Sequence, residues 1–435
     1  MDKLVLALYA IPLALLWGWH AVRRRRRDAR HRSVLQEAIE AGLTEPPSLH
    51  PLIDSSQCIG CGACVTACPE MPDHQVLGII DGKAQLISPT DCIGHGACKI
   101  ACPTQAIELV FGSAQRGVDL PVISSTFETT VPGIYIAGEL GGMGLIRNAL
   151  RQGREAAEGI ARSRPRDQSR LDLLIVGAGP AGFAAALTAK ALGLRYLILE
   201  QESFGGCVYQ YPRRKLVMTQ PVDLPLIGRI HFRTVSKEQL LDFWMRTSEQ
   251  QQLQIRVQQP VIAIERVDTG FSVRTPTQAY AASTVLLAIG RRGSPRKLGV
   301  DGEDLPKVVY RLLDPEQYAR CQVLVVGGGD SALEAAASIA EATDAQVTLS
   351  YRGEAFTRAK QRNRQRIAAA EQAGRLSVLL NSTVKHITPE SVRLLQGSRE
   401  LEVANDSVIV SAGGVLPNDF LKRIGITVQT KFGTA

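Results

Sequence analysis

Residues 171–200 read LDLLIVGAGPAGFAAALTAKALGLRYLILE. An apolar run, Leu173 to Val176, meets glycines at Gly177, Gly179 and Gly182. An alanine-rich stretch follows, then a second apolar run, Tyr196 to Leu199, closed by Glu200. Each feature has a physical task. The first glycine permits a tight turn, the second lets a pyrophosphate reach the backbone, and the third lets helix and strand pack closely. The phosphate then rests on the positive end of the helix. Glu200 stands 23 residues after Gly177, where an acid meets a ribose 2′-hydroxyl. Strand, glycines, helix, strand and acid together predict an α/β fold that binds a dinucleotide.

A second copy begins at Val323 and reads VLVVGGGDSALEAAASIAEATDAQVTLSYRG. Gly327, Gly329 and Ala332 take the three fingerprint positions. The same offset places Ser350 opposite Glu200, with Tyr351 and Arg352 following. No acid closes this second strand. Arg352, Arg358 and nearby Lys360 suit a 2′-phosphate, which favours NADPH, with NADH as the alternative.

Nine cysteines are placed unevenly, with seven between Cys58 and Cys102. Residues 58–69 read CIGCGACVTACP, so Cys58, Cys61, Cys64 and Cys68 have C-x2-C-x2-C-x3-C-P spacing. Three close thiolates wrap one iron–sulfur cube, and the fourth reaches a second cube. Residues 92–103 read CIGHGACKIACP, the same motif with His95 at the second ligand position. Crossed ligation groups Cys58, Cys61, Cys64 and Cys102 on one cluster, and Cys68, Cys92, Cys98 and His95 on the other. His95 either ligates a four-iron cluster, leaves a three-iron cluster, or points away at the surface. Zinc needs only four ligands and no doubled, proline-terminated pattern. Residues 54–110 resemble a two-cluster bacterial ferredoxin.

The segments GAGPAG, LILEQ, LLAIG (286–290), GGGDSALEAA (327–336) and SAGGVLPN (411–418) resemble the thioredoxin-reductase-like two-dinucleotide flavoproteins. The Tyr-Pro segment after GGC, Val208 to Pro212, is similar to the bacillithiol-disulfide-reductase-like branch. The resemblance implies an FAD domain interrupted by an NAD(P)H domain. It assigns Gly177, Gly179, Gly182 and Glu200 to FAD, and the 327–358 stretch to NADPH. Only Arg352 and Arg358 carry over from the family's nucleotide signature. Such proteins end in a strand, Pro-Gly-Ile-Tyr, a Gly-Asp pair facing the flavin, and a helix. Here that piece stands early: residues 131–161 read VPGIYIAGELGGMGLIRNALRQGREAAEGIA, with Gly138 and Glu139 at the Gly-Asp positions. A circularly permuted flavin domain is expected.

The net charge of +8 does not mark a nucleic-acid binder. Residues 23–32 hold seven arginines and one aspartate, so one block carries +6 of it. Before that block, Leu4 to Val22 carries no formal charge. A run of about 20 apolar residues can cross a bilayer, and cytoplasmic arginines set its orientation. The expectation is a single-pass anchor in the cytoplasmic membrane, N-terminus outside, with the catalytic domains in the cytoplasm. Residues 33–42 are expected as a short helix, and Glu45 to Pro51 as a stiff linker.

The expected fold class is an α/β two-dinucleotide-binding, Rossmann-like flavoprotein with an α+β ferredoxin domain and one N-terminal transmembrane helix. Its expected divisions are 1–22 anchor, 23–53 basic segment and linker, 54–110 ferredoxin domain, and 118–161 permuted FAD-closing segment. Residues 171–295 form the FAD domain, 296–405 the NAD(P)H domain, and 406–435 the return to the FAD domain. The expected activity is an electron relay among NAD(P)H, FAD, two iron–sulfur clusters and an unidentified acceptor or donor, a protein or a quinone. The alternatives are a disulfide reductase using Cys207, and a redox sensor or electron-transfer scaffold without turnover. Cys321 is expected as a small core residue, and a homodimer is left open.

Overall fold

The structure is a computed structural model. It describes residues 2–40, 43–46, 49–71, 75–113, 117–142, 144–163, 169–211, 213, 215–218, 221–232, 234–268, 270–291, 293–357 and 359–433; of residues 2–10, 216, 218, 234 and 294 it describes the backbone alone. The chain divides into two compact units, Met1–Val118 with Phe432–Ala435, and Asp119–Lys431.

In the first unit one helix, Asp2–Glu40, spans 39 residues. It passes unbroken through the arginine block, because arginine is a good helix former; no break at Val22 sets off a separate short helix. Among the described residues, no helix is long and apolar enough to cross a membrane. The expected span Leu4–Val22 thus finds no support in them. The side chains of Leu4 to Ala10 lie outside the described residues, and Ile11 to Val22 is too short a run for a span, which needs about 20 residues. Further along, the helix packs on a hairpin, Leu77–Ile80 and Lys83–Leu86. His31 is buried, with Nδ1 2.9 Å from Ile79 N. Gly78 makes room for it, since a Cβ there would lie 2.9 Å from His31 Cγ. Strand His50–Ile53 pairs antiparallel with Ile107–Val110. Two short helices, Ala63–Ala67 and Ala97–Ala101, complete two matching halves.

The second unit holds two parallel five-stranded sheets. The first has the order Ile255–Arg256, Tyr196–Leu199, Leu173–Val176, Val285–Leu287, Ile134–Ile136. Its central strands are buried on both faces, as their unbroken apolar runs require. The early segment supplies the edge strand: Ile134–Ile136 lies parallel to Val285–Leu287. Its helix, Ile146–Ser163, lies against the helix Pro180–Ala191. Small residues set that approach. A Cβ on Gly153 would lie 2.0 Å from Ala181 O, and Ala156 and Ala157 are fully buried. The opposite face is covered by an antiparallel sheet, Ala263–Val267, Gly270–Arg274 and Ala279–Ala282. The start and end of this unit also meet, with Val122 N–H donating to Thr427 O at 2.9 Å.

The second sheet has the order Val308–Val309, Ser407–Val410, Gln322–Val326, Gln346–Ser350, Leu376–Leu379. Ser407–Val410 lies inside it, so this half runs past the expected limit at residue 405. Helices Asp330–Ala342 and Gln361–Gln372 cover one face. Ion pairs tie the two halves. Arg311 grips both Glu202 oxygens at 2.8 and 3.0 Å, and Lys215 Nζ meets Glu334 at 2.8 Å.

Candidate functional site

The first unit brings the cysteines together crosswise. One cavity is lined by Cys58, Cys61, Cys64 and Cys102, beside Ala84, Thr104 and Ile107. A second is lined by Cys68, Cys92, His95 and Cys98, beside Pro51, Pro69 and Leu109. Each motif lends its last cysteine to the other's cavity. Tight left-handed turns shape both loops, with φ of 67° and 78° at Gly60 and Gly62, and 69° and 81° at Gly94 and Gly96. A side chain at Gly60 could not fit, because its Cβ would lie 1.9 Å from Gly82 O.

The donor set fits clusters better than single ions. Among the described residues, no three His, Cys, Asp or Glu side chains stand close enough to hold one metal ion. Zinc–sulfur bonds of about 2.3 Å would demand that closeness. Ligands spread around a cavity suit a group of several atoms. Burial pushes the thiols of Cys64 and Cys98 up to about 11, so a thiolate there needs a cation to hold it. Ala84 N–H donates to Cys58 Sγ at 3.3 Å. Lys83 Nζ donates to Cys58 O at 2.6 Å. Nothing in the cysteine motifs themselves marks these hairpin contributions. His95 is half-buried and lines the cavity rather than standing at the surface.

In the first dinucleotide fold, Gly177 turns with φ 101°, and a Cβ on Gly182 would strike Gly177 O at 1.9 Å. Gly179 caps the helix that begins at Pro180. Glu200 is buried; Oε2 accepts the Ala178 N–H at 2.7 Å and Oε1 the Glu202 N–H at 2.9 Å. Gly138 stands beside the same helix start, where an added Cβ would lie 3.1 Å from Ala181 Cβ. Its N–H donates to Gln152 Oε1 at 2.8 Å, a buried contact with no sequence signal. Glu139, half-buried, opens the single turn Glu139–Gly141. Cys207 is half-buried on the turn Gly206–Val208, and a Cβ on the preceding Gly206 would lie 2.9 Å from Gly179 Cα.

In the second fold, Gly327 turns with φ 145°, Gly329 caps the helix from Asp330, and Ala332 is fully buried. Arg352 is exposed, and Arg358 lies outside the described residues. Ser350 does not take the place of Glu200. It is buried, with Oγ 2.7 Å from Ser382 Oγ. Cys321 precedes its strand and is half-buried, packed at the edge of the core. Glu202 is missed by pattern, yet Arg311 beside it holds its carboxyl below the usual range.

Comparison with known proteins agrees with this division. The profile of the family described as pyridine nucleotide-disulphide oxidoreductase matches residues 174–433. One described as 4Fe-4S dicluster domain matches residues 50–103. A ferredoxin–NADP reductase of Ignicoccus hospitalis is 31% identical over 274 residues, 60% of this chain and 83% of that protein. Bacilliredoxin reductase Bdr of Bacillus subtilis is 26% identical over 267 residues, 60% of this chain and 82% of that protein. The solved bacillithiol disulfide reductase Bdr from Staphylococcus aureus is similar with a TM-score of 0.51 and 26% identity, over 59% of this chain and 81% of that one.

Proposed function

This chain belongs to the pyridine nucleotide-disulphide oxidoreductase family and carries a 4Fe-4S dicluster domain, and on that footing we propose that it relays electrons between NADPH and an external partner through FAD and two iron–sulfur clusters. That it is an NAD(P)H-dependent FAD oxidoreductase follows from its family and its reductase relatives. The observation that carries the relay is the pair of cavities, each lined by four ligand side chains drawn from both motifs. Bound FAD would supply the exchange between a hydride's electron pair and the single electrons that clusters take.

The residues divide the work. Gly177, Gly179 and Gly182 let the pyrophosphate approach the helix start. Glu200 waits at the ribose side, and Gly138 and Glu139 close the site from the early segment. Cys58, Cys61, Cys64 and Cys102 hold one cluster; Cys68, Cys92, Cys98 and His95 hold the other. An imidazole ligand raises a cluster's potential relative to thiolate. In this reading the segment 118–161 is a permuted part of the flavin domain.

The same reading places the relay at the cytoplasmic membrane, N-terminus outside. Supporting it, Ile11, Leu13, Leu15, Leu16, Trp17 and Trp19 are all exposed, in the uncharged run that ends at Val22 before five successive arginines. The partner is then a membrane protein, a ferredoxin or a quinone. Anaerobic NADPH added to the full chain should bring up cluster signals in electron paramagnetic resonance. Flavin bleaching with silent clusters would rule the relay out.

One observation favours a second reading, disulfide reduction. Gly206 seats the Cys207 turn against the flavin loop at Gly179, and Bdr is among the relatives. Here Cys207→Ser should abolish turnover with a disulfide and spare dye reduction. Equal disulfide turnover in the variant removes this reading.

A further inference from the structure

The two dinucleotide folds superpose bond by bond, and the match is one residue away from the sequence offset. Gly177 N–H donates to Leu199 O at 2.8 Å; Gly327 N–H donates to Ser350 O at 2.9 Å. Glu200 N–H donates to Arg256 O at 2.8 Å, and its carbonyl accepts from Gln259 N–H at 2.9 Å. Tyr351 N–H donates to Leu379 O at 2.9 Å, and its carbonyl accepts from Ser382 N–H at 2.9 Å. Tyr351 is therefore the counterpart of Glu200, and Gly328 the counterpart of Ala178.

The two positions are filled in opposite ways. Glu200 turns a carboxylate onto the Ala178 N–H. At the second site, a Cβ on Gly328 would lie 2.3 Å from Tyr351 Cε2, so the ring occupies the space a side chain would take. A Cβ on Gly353 would lie 2.7 Å from Tyr351 Cε1. The ring also stacks on Phe356, with centroids 5.6 Å apart and 24° between planes. Two glycines and a phenylalanine thus fix an uncharged ring where the flavin half keeps its acid. The acid that opens the helix after the glycine loop is turned elsewhere: Asp330 Oδ1 accepts from Lys360 N–H at 2.8 Å and Asn363 Nδ2 at 2.7 Å; Glu354, three residues past Tyr351, is exposed.

We propose that Tyr351, seated on Gly328, is the residue that makes this site select a 2′-phosphorylated dinucleotide. An acid here would bond the ribose 2′-hydroxyl and repel a 2′-phosphate. The neutral ring removes that repulsion and leaves Arg352, next in sequence and exposed, as the charged neighbour of the phosphate. The inference rests on residues 327–352 being the nicotinamide-nucleotide site and is independent of the cluster relay.

The test is binding rather than turnover. Full-length, FAD-loaded protein is titrated calorimetrically with 2′,5′-ADP and with 5′-ADP. Tyr351→Glu should weaken 2′,5′-ADP by roughly tenfold or more and leave 5′-ADP unchanged or tighter. Tyr351→Gln, uncharged, should keep the preference for 2′,5′-ADP. Equal changes in both ligands with Glu, no change with Glu, or the same switch with Gln would overturn the proposal. A second variant covers the case in which Tyr351→Glu does not fold. Here Tyr351→Asp, with the same charge on a shorter side chain, takes the place of that variant: 2′,5′-ADP should weaken relative to 5′-ADP, and equal changes in both ligands overturn the proposal.

Discussion

A methyl group at Gly153 should destabilise the flavin half, while the same change six residues along the helix should not. The two glycines share the helix Ile146–Ser163. At Gly153 the new Cβ would lie 2.0 Å from Ala181 O, 2.8 Å from its carbonyl carbon and 3.0 Å from its Cα. Ordinary contact begins at 3.4 Å, so the two helices must part by about 1.4 Å. Parting them loosens the packing around Ala149, Ala156, Ala157, Ala181 and Ala185. Overpacking of this kind costs about 1–3 kcal/mol, offset by up to about 1 kcal/mol of helix propensity. An overlap of 1.4 Å with backbone belongs in the upper part of that range, so Gly153→Ala should lose roughly 1–2 kcal/mol net. At Gly159 nothing lies nearer than Thr126 O at 4.0 Å, so Gly159→Ala keeps the helix gain of about 0.5–1 kcal/mol. Thermal unfolding of the FAD-loaded chain, read by flavin release, should move a few degrees down for the first and slightly up for the second. If both variants rise alike, the early segment does not pack on the dinucleotide helix, and its assignment to the flavin half fails.

Other perturbations probe separate parts. Glu200→Ala deprives the Ala178 and Glu202 N–H groups of their acceptor, at on the order of 1–3 kcal/mol for a buried donor left unpaired; the purified variant should carry well under one FAD per chain, and full flavin content would refute the role. Cys102 lies in the second motif but lines the first cavity. Cys102→Ser should therefore lose the cluster of Cys58, Cys61 and Cys64 and keep the other; iron analysis with resonance spectra decides, and loss of the His95 cluster alone would break the crossed arrangement. The Arg311–Glu202 pair gives a pH signature. Its hydrogen bonds hold the Glu202 carboxyl below the usual range, so its contribution is full above the carboxylate range and is lost as pH falls through the lowered value. The pair is partly exposed, which limits it to about 1 kcal/mol. Arg311→Met should lower stability at neutral pH by up to that amount and match the parent in acid; an equal deficit at both would point to packing instead.

Much of this architecture was legible because unbroken apolar runs report burial directly. Strands Leu173–Val176 and Tyr196–Leu199 coincide with their apolar runs. The cysteines sort crosswise because a C-x3-C step carries the fourth thiol past its own loop. Illegible features have identifiable causes. The arginine block looks like a boundary by charge but favours helix by propensity, so Asp2–Glu40 continues through it. Counting from Gly177 to Glu200 fails in the second fold because the helix there has 13 residues, against 12 in the first. The extra residue moves the acid's place from Ser350 to Tyr351. Gln152, His31 and Arg311 act through contacts made only in three dimensions, and nothing local in their sequence marks them.

The central claim is that nucleotide, flavin and both clusters share electrons within one chain. Counting reducing equivalents tests it most directly. In an anaerobic titration the relay predicts consumption of about two NADPH per chain, since FAD takes two electrons and each cluster one. The chemically reduced chain should return the same equivalents to NADP+. Uptake that stops at about one NADPH per chain, with clusters that never re-oxidise against NADP+, would contradict the account.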